Sequence, residues 1–201
     1  ERSLPFEIDR FFSQCRDPDM PTPPPEGKGL EPDDIRLAYV LLVHESPQQV
    51  IRLINALDET DHGGTWFVVH VDAKAELMQQ EVLSAMEGRP NVIVMTEKSR
   101  LSVSWGGFNV VQATLNAIEL AVEREIPFHW LWILSGTTYP IASNREIRAK
   151  LAGFPPDSIF MESRTPPHHP ASTAWHYFVE CDNALHRIGR NVLPRDLSMC
   201  V

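Results

Sequence analysis

The chain has 201 residues, 43% hydrophobic and 22% charged, which is enough for one globular domain to bury a core without covalent staples. Its 18 Lys and Arg against 27 Asp and Glu leave a net charge of −9, the wrong sign for a nucleic-acid coat or an anionic membrane surface, so no nucleic-acid partner is expected. No apolar run approaches the roughly 18–20 residues that span a bilayer and no signal-peptide pattern is present, while the first residue is Glu1 rather than Met, which reads as a piece of something longer.

The N-terminal part reads as two pieces. Leu4, Ile8, Phe11 and Phe12 have the spacing of a short amphipathic helix between Leu4 and Cys15. Asp17 to Pro32 carries Pro18, Pro21, Pro23, Pro24, Pro25 and Pro32, which no helix or central strand tolerates, so residues 1–33 are a segment with a proline-rich arm. The folded domain is placed at residues 34–201.

From there strands and helices alternate. Ile35 to Val43 is a near-continuous apolar run, as in a strand buried on both faces. Ser46-Pro47-Gln48-Gln49 reads as an N-cap, a first-turn proline and a capping-box glutamine, followed by the helical stripe Val50, Ile51, Leu53, Ile54 and Leu57. Gly63-Gly64 breaks the chain before a second strand, Trp66 to Val71. A helix from about Lys74 to Met86 leads to a short strand at Val92 to Met95, and a polar loop leads to a longer helix from Phe108 to about Arg124. Phe128 to Leu134 is a further strand, Asn144 to Leu151 a short helix, and Ser158 to Met161 a last short strand. This alternation predicts an α/β fold with a mainly parallel sheet flanked by helices.

In such sheets ligands bind beyond the carboxyl ends of the strands. Those ends deliver His44, then His70-Val71-Asp72, then Ser135-Gly136-Thr137-Thr138-Tyr139, and last Glu162-Ser163. Polar groups from several strand ends suit a hydroxyl-rich ligand: an acid there accepts from ribose hydroxyls or a base N–H, and small residues at Ser135-Gly136 let backbone approach it. Each also has a plain structural reading. His44 or Asp72 serves equally as a cap or turn residue, Ser135-Gly136 as a loop, Glu162 as an exposed edge residue. Ahead of the long helix, Trp105-Gly106-Gly107 offers an indole able to stack on a base or sugar, or else a tight turn with a core Trp. Lys98 and Arg100 in the preceding loop are either phosphate contacts or surface charges.

Several motifs are missing. No GxGxxG follows the first strand, and neither a P-loop nor a GxSxG elbow occurs. The only D-x-D, Asp17-Pro18-Asp19, lies in the proline-rich arm. His168-His169 and His176 lack a carboxylate or thiolate at ligand spacing, so no metal is expected. The three cysteines, Cys15, Cys181 and Cys200, form no CxxC or zinc ribbon and fit either buried thiols or one disulfide with a spare thiol.

Taken in order, the strand-end segments resemble a known family. Leu41-Leu42-Val43-His44 with Pro47-x-x-Val50-x-x-Leu53-x-x-Ala56-Leu57, Val68-Val69-His70-Val71-Asp72-x-Lys74, Ser104-Trp105-Gly106-Gly107-Phe108, Trp132-Ile133-Leu134-Ser135-Gly136-x-x-Tyr139-Pro140-Ile141 with Asn144 and Glu146, and Phe160-Met161-Glu162-Ser163 are similar to motifs of the core-2/I-branching β-1,6-N-acetylglucosaminyltransferases and xylosyltransferases, glycosyltransferase family 14. The resemblance implies a GT-A-like fold and an inverting, metal-independent transfer of N-acetylglucosamine or xylose from a UDP-sugar to a glycan or protein hydroxyl. It implies nucleotide-sugar contacts at His44, His70, Val71, Asp72, Ser104, Trp105 and Gly106, and acceptor contacts at Thr137, Thr138, Tyr139 and Glu162. It implies no cofactor beyond the donor, a Golgi or secretory-pathway lumenal setting, and membrane association only through a segment absent from this chain. Two features depart from the family pattern. Thr138 stands where an Asp precedes Tyr-Pro, and no G-S-Q-W segment, catalytic base or diphosphate-holding basic cluster is found before Val201. The base is therefore expected beyond Val201; Glu180 and Asp182 are acidic but sit in no matching motif. The competing expectation is a catalytically silent nucleotide-sugar-binding or scaffold protein.

Overall fold

The computed structural model describes residues 30–58, 64–96, 99–155, 158–160, 177–181 and 184–188. The expected helix at Leu4 to Cys15, most of the proline-rich arm, Lys98, Met161, Glu162, Ser163, Asp182 and the histidines 168, 169 and 176 lie outside these residues.

A single 3-10 turn at Pro32–Asp34 leads into β1, Leu37–Val43. The chain continues through α1 at Pro47–Leu57, β2 at Thr65–Val71, α2 at Glu76–Met86, β3 at Val92–Val94, α3 at Phe108–Glu123, β4 at Trp130–Ser135 and α4 at Asn144–Leu151. An antiparallel hairpin, β5 at Tyr177–Cys181 and β6 at Ala184–Ile188, follows. The first four strands form one all-parallel sheet in the order β3-β2-β1-β4, with Leu37 beside Thr65 on one side and Trp130 on the other. The α/β class expected from the alternation is the class observed.

Pleating sorts the side chains of β1. Leu37, Tyr39, Leu41 and Val43 point to one face, where Val50, Leu53, Ile54 and Leu57 of α1, Met78, Val82 and Met86 of α2, and Leu151 of α4 bury them. Val40 points to the other face, against Ala117 and Ala121 of α3. Both faces of the central strand are thus covered, which explains its near-continuous apolar run. On α3 the residues in closest contact are alanines, so the helix packs low against the sheet, while Phe108, Val111, Leu115 and Val122 stay exposed.

Two local expectations need correction. Helix α1 does begin at Pro47, but Ser46 has φ 57° and ψ 64° and makes no side-chain cap bond. An N-cap that bonds the first turn ordinarily has an extended backbone, so the capping box read at Ser46 does not form. Such a box forms at α4 instead. There the Ser143 hydroxyl accepts from the Glu146 N–H at 3.3 Å, and Glu146 Oε2 accepts from the Ser143 N–H at 2.8 Å. The Ser143 backbone N–H, then its hydroxyl, hold the Glu146 carboxyl below its usual range. Second, Ser158–Phe160 carries no strand among the described residues.

Asn144 docks α4 onto the sheet. Fully buried, it accepts from the Tyr39 hydroxyl at 2.6 Å and donates to the Leu57 carbonyl and, at 3.1 Å, to Thr65 Oγ1. It thereby joins the middle of β1, the end of α1 and the start of β2. Asn144→Ala strands these groups in a dry interior and is expected to cost roughly 2–4 kcal/mol. The urea midpoint of the variant measures this, and a loss below about 0.5 kcal/mol would show the network to be dispensable.

Candidate functional site

The strand order reverses at β1, since the chain steps outward to β2 and β3 and then returns to place β4 on the other side. Beyond the carboxyl ends of β1, β2 and β4 lies a cavity of about 460 Å³. Its walls include Leu42 and Val43 of β1 with His44 just beyond it, His70 of β2 with Asp72 just beyond it, Ser135 from β4, Val110 and Ala113 from α3, and Lys74, Val103 and Trp105 from the loops. Four of the predicted nucleotide-sugar residues, His44, His70, Asp72 and Trp105, meet here.

The wall is held by residues 99–103, which cross the end of β2. Parallel pairing stops there, and the polar groups left over require partners. Asp72 Oδ2 accepts from the Val103 N–H at 3.2 Å and Oδ1 from the Lys74 N–H at 2.8 Å, while the Asp72 N–H donates to the Val43 carbonyl at 2.8 Å. His70 Nε2 accepts from the Leu101 N–H at 2.9 Å, and the Leu101 carbonyl accepts from the Ala73 N–H at 3.0 Å. Arg100 completes the clasp: Nε donates to the Val71 carbonyl at 3.0 Å, one terminal nitrogen to the Asp72 carbonyl at 2.9 Å, and the other to Glu76 Oε2 at 3.0 Å.

These contacts revise both readings of Arg100. At 6% exposure it is neither a surface charge nor a phosphate ligand; its guanidinium fork fills carbonyl lone pairs in the wall. Asp72 combines its two readings, a turn acid and a cavity-wall group. Val71 is core, with its carbonyl in the clasp.

Trp105 is 94% exposed and stands at the cavity, so the core-tryptophan reading does not hold. The turn that presents it closes with a Gly107 N–H to Ser104 carbonyl bond of 2.9 Å and passes through Gly106 at φ 78°, a left-handed backbone where a side chain is strained. Ser104 is buried beneath, and neither it nor Gly106 is among the lining residues. The glycine after β4 serves packing rather than a ligand, because a Cβ at Gly136 would lie 3.2 Å from Val43 Cγ1.

The predicted acceptor residues part from the nucleotide group. Ser135 Oγ lies 2.9 Å from Thr137 Oγ1 and 3.2 Å from Thr138 Oγ1, a hydroxyl cluster at the end of β4. Ser135 faces the first cavity, whereas Thr138 and Tyr139 line a neighbouring apolar groove of about 240 Å³ with Trp132, Pro140 and Ile141.

Sequence reading passed over Lys74 as a site residue, although it stands two places after Asp72 in the quoted motif. It is the only Lys or Arg among the described residues lining the cavity. Nζ donates to the Val103 carbonyl at 2.6 Å and lies 3.6 Å from Asp72 Oδ2, which leaves one ammonium N–H with no partner among the described residues. Among the described residues no group of three or more His, Cys, Asp or Glu converges, and no helix is long and apolar enough to cross a membrane.

A sequence model of the family described as Core-2/I-branching enzyme matches residues 37–200. A β-1,3-galactosyl-O-glycosyl-glycoprotein β-1,6-N-acetylglucosaminyltransferase 3 of Rattus norvegicus is 30% identical over 159 residues, covering 79% of this chain and 35% of its own length. A xylosyltransferase of Ciona intestinalis is 27% identical over 204 residues, covering 98% of this chain and 23% of its own. Xylosyltransferase 2 of Homo sapiens is 29% identical over 184 residues, covering 84% and 20%. The chain thus spans about a third or less of the length of these relatives.

Burial lowers the pKa of His70 from its ordinary value near 6.5, against the opposing pull of the Asp72 charge. The unfolded chain therefore binds the proton first. Stability from the neutral imidazole is complete above about pH 6.5 and falls as the pH drops below it. Melting temperatures between pH 8 and pH 5 are expected to decline on the acid side, less steeply in His70→Asn, whose amide oxygen still accepts from Leu101. An equal slope in both proteins would remove His70 from this account.

Proposed function

The chain belongs to the Core-2/I-branching enzyme family, and from that premise we propose that its cavity holds the nucleotide of a UDP-sugar whose sugar passes to a glycan or glycoprotein hydroxyl. The relatives' names point to N-acetylglucosamine or xylose as the transferred sugar. The observation that carries the reading is the convergence of an exposed indole, a lysine and a carboxylate on one cavity at the strand ends.

The roles follow from the atoms. The Trp105 face stacks on the uracil ring, and its exposure leaves it free to do so. Asp72 keeps an acceptor lone pair for a ribose hydroxyl or a base N–H after bonding Val103 and Lys74. The spare N–H of Lys74 meets the diphosphate, with His44 exposed at the rim. Thr137, Thr138 and Tyr139 stand on the acceptor side; Glu162, outside the described residues, keeps its acceptor role from the family motif alone.

Transfer is read as inverting. A carboxylate takes the proton of the acceptor hydroxyl, whose oxygen attacks the anomeric carbon as the bond to the diphosphate breaks and UDP departs. Asp72 is the only carboxylate among the described residues lining the cavity, and both its oxygens hold backbone N–H groups. The base accordingly comes from another part of the polypeptide, and the described fold is the donor-binding part. The metal-independent reading rests on that donor set, two imidazoles and one committed carboxylate beside an ammonium. A lumenal secretory-pathway setting goes with glycoprotein acceptors.

Calorimetry with UDP and no added metal tests this. The chain is expected to bind UDP, Trp105→Ala to weaken it about tenfold through lost stacking, and Asp72→Ala to abolish it. Binding that strictly requires Mn²⁺ would overturn the metal-independent reading, and unchanged affinity in Trp105→Ala would remove the indole from the site.

A further inference from the structure

We propose that Glu180 is a positioning residue: its carboxylate seats the N-terminus of α3 and, through it, the turn that presents Trp105. Only the binding part of its test rests on the reading of the cavity as a UDP-sugar site.

Helix α3 needs an external cap. Its N-cap is Gly107, which has no side chain to offer, and its first turn contains no acidic residue. The first N–H groups of a helix lack intrahelical acceptors, and a 16-residue helix adds a dipole that favours an anion at that end. Glu180 on β5 supplies the anion from 71 positions along the chain, with Oε2 accepting from the Asn109 N–H at 3.1 Å. A charge-assisted bond of this kind is stronger than a neutral one.

The glycine at 107 is the counterpart of this contact. A Cβ there would fall 2.5 Å from Glu180 Cδ and 2.6 Å from each carboxylate oxygen, so any side chain would displace the carboxylate. Glu180 Oε1 is buried without a hydrogen-bond partner among the described residues, a cost the protein carries to hold the group in place. The hairpin approaches the turn at a second point, since a Cβ at Gly106 would lie 3.4 Å from Leu185 Cδ2 on β6.

The contact reaches the cavity by two short routes. Asn109, whose N–H Glu180 holds, donates its side-chain amide to the Ser102 carbonyl at 3.1 Å, next to the wall residue Val103. In the other direction Gly107 and Gly106 lead directly to Trp105. Glu180 is not among the residues lining the cavity, which separates this role from that of a base.

The test uses the full chain with Gly107→Ala, Glu180→Ala, Glu180→Gln and the double variant Gly107→Ala/Glu180→Ala. The readouts are the Trp105 indole N–H resonance, amide exchange at Asn109, and UDP affinity. Glu180→Ala is expected to shift the indole resonance, speed exchange at Asn109 and weaken UDP about fivefold, while Glu180→Gln falls between wild type and Glu180→Ala because its amide oxygen still accepts but carries no charge. Gly107→Ala is expected to be worse than Glu180→Ala, and the double variant to recover to the level of Glu180→Ala as the missing carboxylate makes room for the new methyl. Losses that simply add, an unmoved indole in Glu180→Ala, or collapse of the whole fold in that variant would each overturn the proposal. If the wild-type chain binds no UDP, the donor reading fails, and the resonance and exchange data still decide this one.

Discussion

Strand β2 ends inside the protein, and the polar groups at that end have to be paired where water cannot reach them. Residues 99–103 meet this constraint through the Arg100 guanidinium on the Val71 and Asp72 carbonyls, the Leu101 N–H on His70 and the Val103 N–H on Asp72. The rest of the site hangs from this clasp. Val103 becomes a wall of the cavity, the next residues turn sharply, Trp105 is left outside, and α3 starts where the turn ends. Side chains that look like ligand contacts at the strand end are first of all the fasteners of the loop that shapes the site.

This division of labour bears on chemistry. A carboxylate that holds backbone N–H groups with both oxygens is committed to the loop it fastens. A binding surface is therefore the natural use of this part of the fold, with stacking, one ammonium and a few hydroxyls as its means. The hydroxyl cluster of Ser135, Thr137 and Thr138 marks the border between the cavity and the apolar groove.

Much of the architecture was legible in the sequence because burial writes itself into composition. β1 and β2 lie between helices and read as near-continuous apolar runs, and α1 reads from its stripe, whereas α3 buries its alanines and leaves the larger apolar residues Val111, Leu115 and Val122 exposed. The strand-end rule then located His44, His70, Asp72 and Ser135 without coordinates. What escaped had no local signature. Arg100 is one of several charges in a polar loop, and its burial is explained by the orphan carbonyls of a strand end about 30 residues earlier together with Glu76. The capping box at Ser46 failed on a backbone angle that composition does not report, and hairpin β5–β6 was passed over although Asp182-Asn183 between its strands are both turn-favouring residues. Glu180 drew notice only as an acid in the right neighbourhood, since a cap supplied from a distant strand leaves no spacing to read.

The cavity beyond β1, β2 and β4 is the proposed seat of the nucleotide. A heteronuclear NMR titration of the labelled chain with UDP examines it directly. Shifts are expected to concentrate at Val43–His44, Asp72–Lys74, Leu101–Trp105 and Ser135. Shifts confined instead to Tyr139–Ile147 along the apolar groove, or absent at saturating UDP, would contradict it.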